Sequence, residues 1–480
     1  MSKVHKALAY SVFSKYINRV VNLASVVIIA RLLTPDELGL FAIASAIALI
    51  ASELKSFGVG GYLIREEEID VDKVKRALGL SVLISWGAGF ALVAASWSIE
   101  SFYDKDDIAL LIQILSLSFF LSPHIGVAKS LMARDFHFKH RFIAETSSQI
   151  AQFGAAVLFI LLGYSYYSLA YSTATGFIVE LIAVVILKPK LFVFTPKFQG
   201  LKSIAKFGVF VTFSNLFNKI AANVPDLIIG KLGTTSEVAY FSRGIGFLSF
   251  LKMTINSGVR PVVTPYLADK KREGGNVEEA YLNAIKMLSA ILIPVLLVSG
   301  YASEPVIVLF FGDQWLQSAP LVSILCIWAA LREMHTISPS LFITTGHERQ
   351  LFYRDLGYLL FIIAVVYFTY EYGLEGIAWG MVFTGFVDFL VICTMLQVLV
   401  NISLKKQFLA FLPNLILAGI CVFWAFLVDQ WIDFKETSVF LSMPILGVTT
   451  GIVWLATLIL MKHPLASELQ YMARKLLKRS

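Results

Sequence analysis

Long apolar stretches follow one another along almost the whole chain, separated by short polar segments. Fourteen of them, between Ala9 and Met461, are long enough to cross a hydrocarbon layer about 30 Å thick as helices. The predicted spans are Ala9–Ile29, Leu38–Val59, Ala77–Ile99, Ile108–Met132, Phe142–Leu162, Tyr166–Leu187, Ile204–Ile229, Val238–Val263, Leu282–Tyr301, Leu321–Phe342, Leu351–Tyr370, Ile377–Leu399, Phe408–Leu427 and Val439–Met461. The pattern therefore predicts an all-α polytopic membrane protein with about 14 transmembrane helices.

Cationic residues interrupt these apolar stretches. They are Lys15, Arg19, Lys55, Lys219, Arg243, Lys252, Arg260, Lys286 and Arg332. A cation at the centre of a lipid-facing helix costs about 3 kcal/mol, whereas an apolar residue contributes only about 0.5 kcal/mol. We therefore expect a helix bundle that hides the cations around a water-accessible cavity. Such a cavity suits an anionic cargo.

Composition agrees with a membrane protein, since 57% of the residues are hydrophobic and 15% are charged. The first apolar stretch does not resemble a cleavable signal peptide, because Lys15 and Arg19 interrupt it. The cysteines Cys326, Cys393 and Cys421 fall within predicted spans and have neither metal-binding nor redox spacing. We interpret them as packing residues and predict no metal site and no cofactor.

The distribution of lysine and arginine predicts the orientation. With a cytoplasmic N-terminus, the cytoplasmic segments contain 27 of these residues. The opposite side contains four, namely Arg31, Lys105, Lys231 and Lys435. Cytoplasmic loops of membrane proteins are enriched in such cations, so an even number of crossings with both termini in the cytoplasm is favoured. The net charge of +7 is then a topology signal rather than a sign of nucleic-acid binding.

The chain resembles itself at an offset of 200 residues. Ser11–Phe41 aligns without a gap to Val211–Phe241, and the identical residues include Thr34/Thr234 and Glu37/Glu237. Six spans separate the two copies, so both run in the same direction, as in the parallel repeats of secondary transporters. We predict two pseudo-symmetric six-helix lobes, residues 1–188 and 204–400, a linker of residues 189–203, and residues 401–480 as two further helices with a basic cytoplasmic tail.

Polar side chains recur at spacings of three and four along the first helix of each predicted lobe and along the eighth span, which places them on one helix face. We predict that these faces line a central cleft. The expected substrate-binding cations are Lys15, Arg19, Lys219, Arg243, Lys252 and Arg260, and the expected amide lining is Asn18, Asn22, Asn218, Asn223 and Asn256. The alternative for the amides is hydrogen bonding between helices within the bundle.

The other intramembrane charges have structural interpretations. Lys55 is expected to pair with Glu53 or to reach the cytoplasmic edge. Arg332 and Arg354 are expected to pair with the adjacent Glu333 and Asp355. An isolated carboxyl group in a membrane is costly when ionised, so the candidates for carrying a coupling ion are Asp226, Glu145, Glu180 and Asp388, with ion pairing as the alternative.

Three stretches carry a resemblance to a known family. They are Ala30–Leu40 (ARLLTPDELGL) with Phe57–Gly60 (FGVG), Ser122–His124 (SPH) with Leu131–Phe138 (LMARDFHF), and Phe311–Trp315 (FGDQW). In this order and spacing, the chain resembles Wzx-type polysaccharide and O-antigen flippases of the polysaccharide transporter family. That family belongs to the MOP superfamily, with the MATE multidrug exporters and the lipid II flippase.

The resemblance implies a MATE-like fold and alternating access in the bacterial inner membrane. The implied cargo is an undecaprenyl-diphosphate-linked glycan, moved to the outer leaflet for surface polysaccharide synthesis. Its anionic pyrophosphate fits the predicted cationic cleft. The implied partners are membrane lipids, the polysaccharide polymerase and its chain-length machinery. We expect no nucleic-acid partner.

Two other classes were compared with this hypothesis. A cation- or proton-coupled multidrug exporter of the MATE type would need an acidic cavity, whereas the predicted cavity is cationic. A membrane enzyme would need catalytic residues outside the bilayer, and the longest predicted external stretch, Ala302–Pro320, offers only Glu304 and Asp313 as acids. The chain has no Gly-x-x-x-x-Gly-Lys-Ser/Thr motif, so we expect an ion gradient or the membrane potential to supply the energy. We predict that the protein is not an enzyme.

Overall fold

The computed structural model describes residues 3–56, 59–201, 209–273, 275–434 and 436–477. The described elements are helices, joined by short turns. Helices of the first half are α1 (Lys3–Leu32), α2 (Pro35–Ser52), α3 (Val59–Arg65), α4 (Val71–Tyr103), α5 (Ile108–Arg134), α6 (Phe138–Leu161), α7 (Tyr167–Leu187) and α8 (Val209–Leu232). The second half contains α9 (Thr235–Arg272), α10 (Val277–Tyr301), α11 (Ser303–Phe311), α12 (Ala319–Glu333), α13 (Ser338–Thr345), α14 (Glu348–Thr369), α15 (Gly373–Val400), α16 (Leu404–Ile432), α17 (Val439–Leu460) and α18 (Pro464–Leu477).

Within the described residues, nine helical stretches are long and apolar enough to cross a membrane. Several neighbouring helices are joined in these stretches; one of them, Glu348–Val400, contains both α14 and α15. The stretches do not include α1, α6, α8 or α9, in which lysine, arginine, asparagine and glutamine interrupt the apolar residues. The chain is therefore a multi-pass, all-helical membrane protein, and the number of 14 crossings remains a prediction.

Two predicted spans are interrupted in the structure. The second ends as an α-helix at Ser52, continues as a short 3-10 helix over Glu53–Ser56, and is followed by α3. The tenth is divided into α12 and α13 at residues 334–337. Polar residues lie at both breaks (Glu53, Lys55 and Ser56 at the first, His335 and Thr336 at the second), but the apolar residues on either side are close enough for the hydrophobic pattern to predict a single span.

The two copies of the predicted repeat end in the same local structure. In each copy, a long helix is followed by a threonine N-cap, with glutamate three residues later. Thr34 Oγ1 accepts from the Glu37 N–H at 3.4 Å and Glu37 Oε2 accepts from the Thr34 N–H at 2.7 Å. The same reciprocal contacts join Thr234 and Glu237, at 3.2 Å and 2.8 Å. This capping box satisfies two donors that a helix N-terminus otherwise leaves unpaired.

The chain divides into two compact units, Met1–Ser242 and Arg243–Ser480. In unit 1, α4 packs on α5, α6 on α7, α1 on α6, and α2 on both α5 and α8. Its core includes Leu78 and Leu131 between α4 and α5. The division falls within α9, whereas the predicted lobes divide at residues 189–203, so those lobe limits remain a prediction.

In unit 2, α10 packs on α12 and α16, α15 packs on α12 and α14, and α16 packs on α17. Polar contacts fix the position of α16 and α17, since Asn414 Nδ2 donates to the Lys286 carbonyl at 2.9 Å and Trp454 Nε1 donates to the Ala290 carbonyl at 2.8 Å. The two helices predicted to follow the lobes are therefore integral parts of this unit's core.

Candidate functional site

Arg19 and Lys219, the candidate cations of unit 1 whose side chains are described, form no salt bridge with a described carboxylate. Arg19 is half-buried on α1, and its Nη1 atom is buried without a hydrogen-bond partner among the described residues. Lys219 on α8 is also half-buried and forms no salt bridge with a described carboxylate. A buried unpaired charge is costly, so both side chains are available to an anionic ligand.

Lys55 also has no salt bridge with a described carboxylate. Its Nζ donates to Ser118 Oγ at 2.9 Å and lies 3.6 Å from the centroid of the Phe119 ring. The expected pair with Glu53 does not form, and the alternative, that Lys55 reaches the cytoplasmic edge, stays a prediction. The sequence could not reveal this contact, because Ser118 lies 63 residues away on α5.

The predicted amide residues of unit 1 have mainly structural contacts. Asn18 Oδ1 accepts from Thr146 Oγ1 at 2.8 Å, which joins α1 to α6. Asn218 and Asn223 donate to the carbonyls of the preceding helical turn, at 2.9 Å and 2.7 Å. Asn22 is exposed. The alternative interpretation, hydrogen bonding within the bundle, therefore describes Asn18.

In unit 2, two of the described candidate cations have contacts of different kinds. Lys252 Nζ lies 3.8 Å from Glu333 Oε1, and Asn256 Nδ2 donates to Glu333 Oε2 at 2.9 Å. Arg243 lies over two aromatic rings, 5.1 Å from the centroid of Trp315. These side chains therefore have partners within the unit. The side chains of Lys15 and Arg260 lie outside the described residues.

Two arginines complete this network. Arg354 pairs with Asp355 at 2.7 Å, as expected, and also with Asp388. The nearest carboxylate of Arg332 is that of Asp388, at 3.9 Å, instead of the adjacent Glu333. In unit 2, three cations (Lys252, Arg332 and Arg354) therefore balance three carboxylates (Glu333, Asp355 and Asp388).

Three of the four candidate coupling carboxylates are ion-paired. Glu145 and Glu180 each contact Lys129 at 2.9 Å, and Asp388 contacts Arg354. Asp226 on α8 differs, because it hydrogen-bonds to the Ser242 hydroxyl and its Oδ1 atom is buried without a partner. Asp226 forms no salt bridge with a described cation.

Four hairpin tips of unit 1 contact one another in a closed ring, which we call the hairpin ring. Its members are residues 33–34, 104–107, 162–166 and 233–234, together with the adjoining helical turns. Ser165 Oγ donates to Glu37, and the Tyr166 hydroxyl donates to Asp107. Thr235 and Ser236 donate to Asp36 Oδ1, at 2.7 Å and 2.6 Å.

Lysines close the ring between the remaining pair of tips. Lys105 Nζ donates to the Gly233 carbonyl at 3.1 Å, and Lys231 Nζ donates to the Phe102 carbonyl. The backbones of α2 and α9 also approach closely beside the ring, since a Cβ atom on Gly39 would lie 1.8 Å from the Thr235 carbonyl oxygen. The four tips are the first, third, fifth and seventh predicted loops, which all lie on the predicted external side, and their mutual contacts agree with the alternation of the first seven predicted loops.

Comparison with known proteins decides the family. Residues 28–320, more than half of the chain, match the model of a family described as polysaccharide biosynthesis protein. The chain belongs to this family. The predicted resemblance is therefore confirmed, and the protein is a multi-pass membrane protein of the polysaccharide biosynthesis family.

Curated relatives carry related names. The chain is 24% identical to the teichuronic acid biosynthesis protein TuaB of Bacillus subtilis over 77% of this chain and 78% of TuaB. It is 23% identical to the lipopolysaccharide biosynthesis protein WzxC of Escherichia coli over 76% of this chain and 75% of WzxC. It is also 23% identical to the succinoglycan biosynthesis transport protein ExoT of Rhizobium meliloti, over 68% of this chain and 66% of ExoT.

Solved structures show the fold of the family. The lipid II flippase MurJ in an inward closed conformation superposes with a TM-score of 0.77, at 14% identity, over 95% of this chain and 99% of MurJ. An inward-facing MATE transporter of the MOP superfamily gives 0.65, at 19% identity, over 83% of this chain and 99% of its own. The predicted MATE and lipid II flippase fold is therefore confirmed.

Proposed function

We propose that the protein flips undecaprenyl-diphosphate-linked oligosaccharide repeat units from the inner to the outer leaflet of the bacterial cytoplasmic membrane. The single observation that carries this proposal is the set of carboxylate-free cations in unit 1: Arg19, Lys55 and Lys219. A diphosphate is anionic, so it would supply the negative charge that no carboxylate provides to these cations. Membership of the polysaccharide biosynthesis family supports a glycan-bearing cargo.

Electrostatics decides which cations we assign to the cargo. At an effective dielectric constant near 20, a cation 4 Å from a phosphate oxygen contributes about 4 kcal/mol before desolvation. A cation that already has a carboxylate partner contributes less, because binding a phosphate would require the existing pair to separate. We therefore assign the diphosphate to Arg19, Lys55 and Lys219. We keep Lys15 and Arg260 as candidates from the sequence. Lys252, which pairs with Glu333, and Arg243, which lies over the Phe311 and Trp315 rings, are secondary candidates.

Alternating access is the transport mode that we propose, with 14 crossings, two repeat-related lobes and both termini in the cytoplasm. Asp226 is our candidate for a coupling ion, since its carboxylate has no cation partner among the described residues. The membrane potential acting on the anionic cargo is the alternative drive. The polymerase and chain-length machinery would receive the cargo on the outer face.

Complementation of a deletion strain tests this function. Cells without the gene should accumulate lipid-linked repeat units that face the cytoplasm, and the wild-type gene should restore surface glycan. Arg19→Gln and Lys55→Gln should not restore it at wild-type expression, whereas Lys405→Gln, which removes an exposed cation, should. Polymerised surface glycan in the deletion strain would contradict the proposal. Loss of drug resistance without any change in glycan would favour the MATE-type multidrug exporter instead.

A further inference from the structure

Two lysines of the hairpin ring cap each other's hairpin. Lys105 belongs to the α4–α5 hairpin and donates to Gly233 in the α8–α9 hairpin at 3.1 Å. Lys231 belongs to the α8–α9 hairpin, donates to the Phe102 carbonyl and lies 4.8 Å from the centroid of the Phe102 ring. The exchange is therefore reciprocal, with one donor and one acceptor on each side.

The acceptors are carbonyls at helix C-termini. Phe102 lies in the last turn of α4, which ends at Tyr103, and Gly233 directly follows Leu232, the last residue of α8. The final carbonyls of a helix have no intrahelical partner, and the helix dipole places partial negative charge there. Each ammonium group thus adds a hydrogen-bond donor to a carbonyl at the C-terminal end of a helix in the other hairpin.

The positions of these lysines also need an explanation. Lys105 and Lys231 are two of only four lysine and arginine residues on the predicted external side. Cations on that side oppose the usual charge distribution of membrane proteins. The usual charge distribution therefore does not explain Lys105 and Lys231. Their reciprocal contacts between two hairpins of the ring offer an explanation.

Their exposure makes the contacts releasable. Lys231 is exposed and Lys105 is half-buried, so water can replace the carbonyl acceptors when the hairpins separate. In contrast, Arg354 of unit 2 is 9% exposed and pairs with Asp355, which is 2% exposed. Separating such a buried pair would leave charges unpaired in a dry environment.

We propose that Lys105 and Lys231 form a releasable clasp that holds the α8–α9 hairpin against the α4–α5 hairpin and closes the external exit of the transporter. This inference rests on the alternating access proposed above and adds the residues that control one of its gates. Asp36 ties the same hairpin to α2 through Thr235 and Ser236. The clasp lysines act as positioning residues and need not contact the cargo.

Thiol accessibility measures opening of the clasp without any cargo. Ile43 is fully buried on α2 and faces Gly230, where a Cβ atom would lie 2.9 Å from Ile43 Cγ1. An Ile43→Cys reporter should react slowly with a membrane-impermeant maleimide added outside. Adding Lys105→Met and Lys231→Met should raise that rate about tenfold, whereas Lys405→Met should leave it unchanged. An unchanged rate in the double variant, or an equal increase in the control, would overturn the clasp.

A reversible crosslink tests whether the clasp must open during transport. Phe102→Cys and Lys231→Cys can be joined by a short bifunctional methanethiosulfonate and released by a reductant. We expect the linked protein to lose export and to regain it after reduction. Export by the linked protein at the reduced protein's rate would overturn the gate. Faster labelling of the Ile43→Cys reporter in the lysine variants, together with normal surface glycan in the deletion strain, would support the clasp while rejecting the proposed cargo.

Discussion

Several intramembrane cations of unit 2 have carboxylate partners, whereas comparable cations of unit 1 have none among the described residues. In unit 2, Lys252, Arg332 and Arg354 are balanced by carboxylates of the same unit, whereas Arg243 lies over the Phe311 and Trp315 rings. In unit 1, Arg19, Lys55 and Lys219 have no carboxylate partner among the described residues, although Lys129 does. The difference teaches that a cation in a membrane span is a candidate for binding an anion only where the fold leaves it without a carboxylate partner.

This comparison has an energetic basis. Removing one partner of a buried ion pair leaves the other charge uncompensated, which costs about 3–5 kcal/mol. Removing an unpaired buried charge relieves a desolvation cost instead. Substitutions of the same chemical type should therefore have opposite effects on stability in the two sets of cations.

The largest effect is expected at Arg354. Its guanidinium group serves both Asp355 and Asp388, and all three side chains are at most 9% exposed. Arg354→Gln should lower the free energy of unfolding by about 3–5 kcal/mol, because two buried carboxylates lose their cation. Thermal unfolding in detergent or nanodiscs measures this loss. Adding Asp388→Asn should recover part of it, and an unchanged midpoint in the single variant would contradict the paired network.

Lys129 tests whether ion pairing, rather than the unit in which a cation lies, determines how much stability is lost when the cation is removed. Its ammonium group contacts Glu145 and Glu180, but the side chain is 27% exposed. Lys129→Met should therefore cost about 2 kcal/mol, less than the fully buried case. The same thermal unfolding assay measures it. If Lys129→Met proves as stable as the wild type, the rule drawn from pairing fails within unit 1.

Arg19 and Lys55 should behave in the opposite way. Arg19→Gln and Lys55→Gln should leave the free energy of unfolding within about 1 kcal/mol of the wild type, or raise it, because each removes a charge without a carboxylate partner. Export of glycan should nevertheless be lost. Unfolding and complementation, measured on the same variants, separate the two effects. A destabilisation as large as that of Arg354→Gln would place these cations among the structural ones.

The smallest effect on stability is expected at Asp226. Asp226→Asn keeps the shape of a carboxylate that has no salt bridge with a described cation, so stability should change by less than about 0.5 kcal/mol. Asp388→Asn is the matched control and should be clearly destabilising, because it breaks the pair with Arg354. If Asp226 carries the coupling ion, its variant should be stable and unable to export.

The sequence predicted the parts of this structure that depend on local pattern. The helical class, the apolar stretches and the shared Thr34/Glu37 and Thr234/Glu237 motifs all follow from residues close in the chain, and the motifs form matching helix caps. The family followed from the order of the motifs. Predicting these features does not require knowing which helices pack against each other.

Pairing between distant segments could not be predicted. Lys55 contacts Ser118, Lys252 contacts Glu333, and Lys129 contacts Glu180. Each partner lies at least 51 residues away, so only the packing of the helices selects it. The sequence shows where the cations lie along the spans but could not separate paired from unpaired ones, and the expected pair of Lys55 with Glu53 does not form. The breaks at Ser52 and at residues 334–337 were missed for a related reason, since hydropathy does not record where a helix stops.

The most direct test of the account is binding of the isolated lipid carrier to purified protein. Undecaprenyl diphosphate, followed by native mass spectrometry or by ligand-induced stabilisation, should bind the wild type more tightly than undecaprenol does. Combining Arg19→Gln, Lys55→Gln and Lys219→Gln should weaken diphosphate binding about tenfold or more and leave undecaprenol binding unchanged, with Lys405→Gln as the neutral control. Equal diphosphate affinity in the triple variant and the wild type would contradict the claim that the unpaired cations of unit 1 hold the cargo.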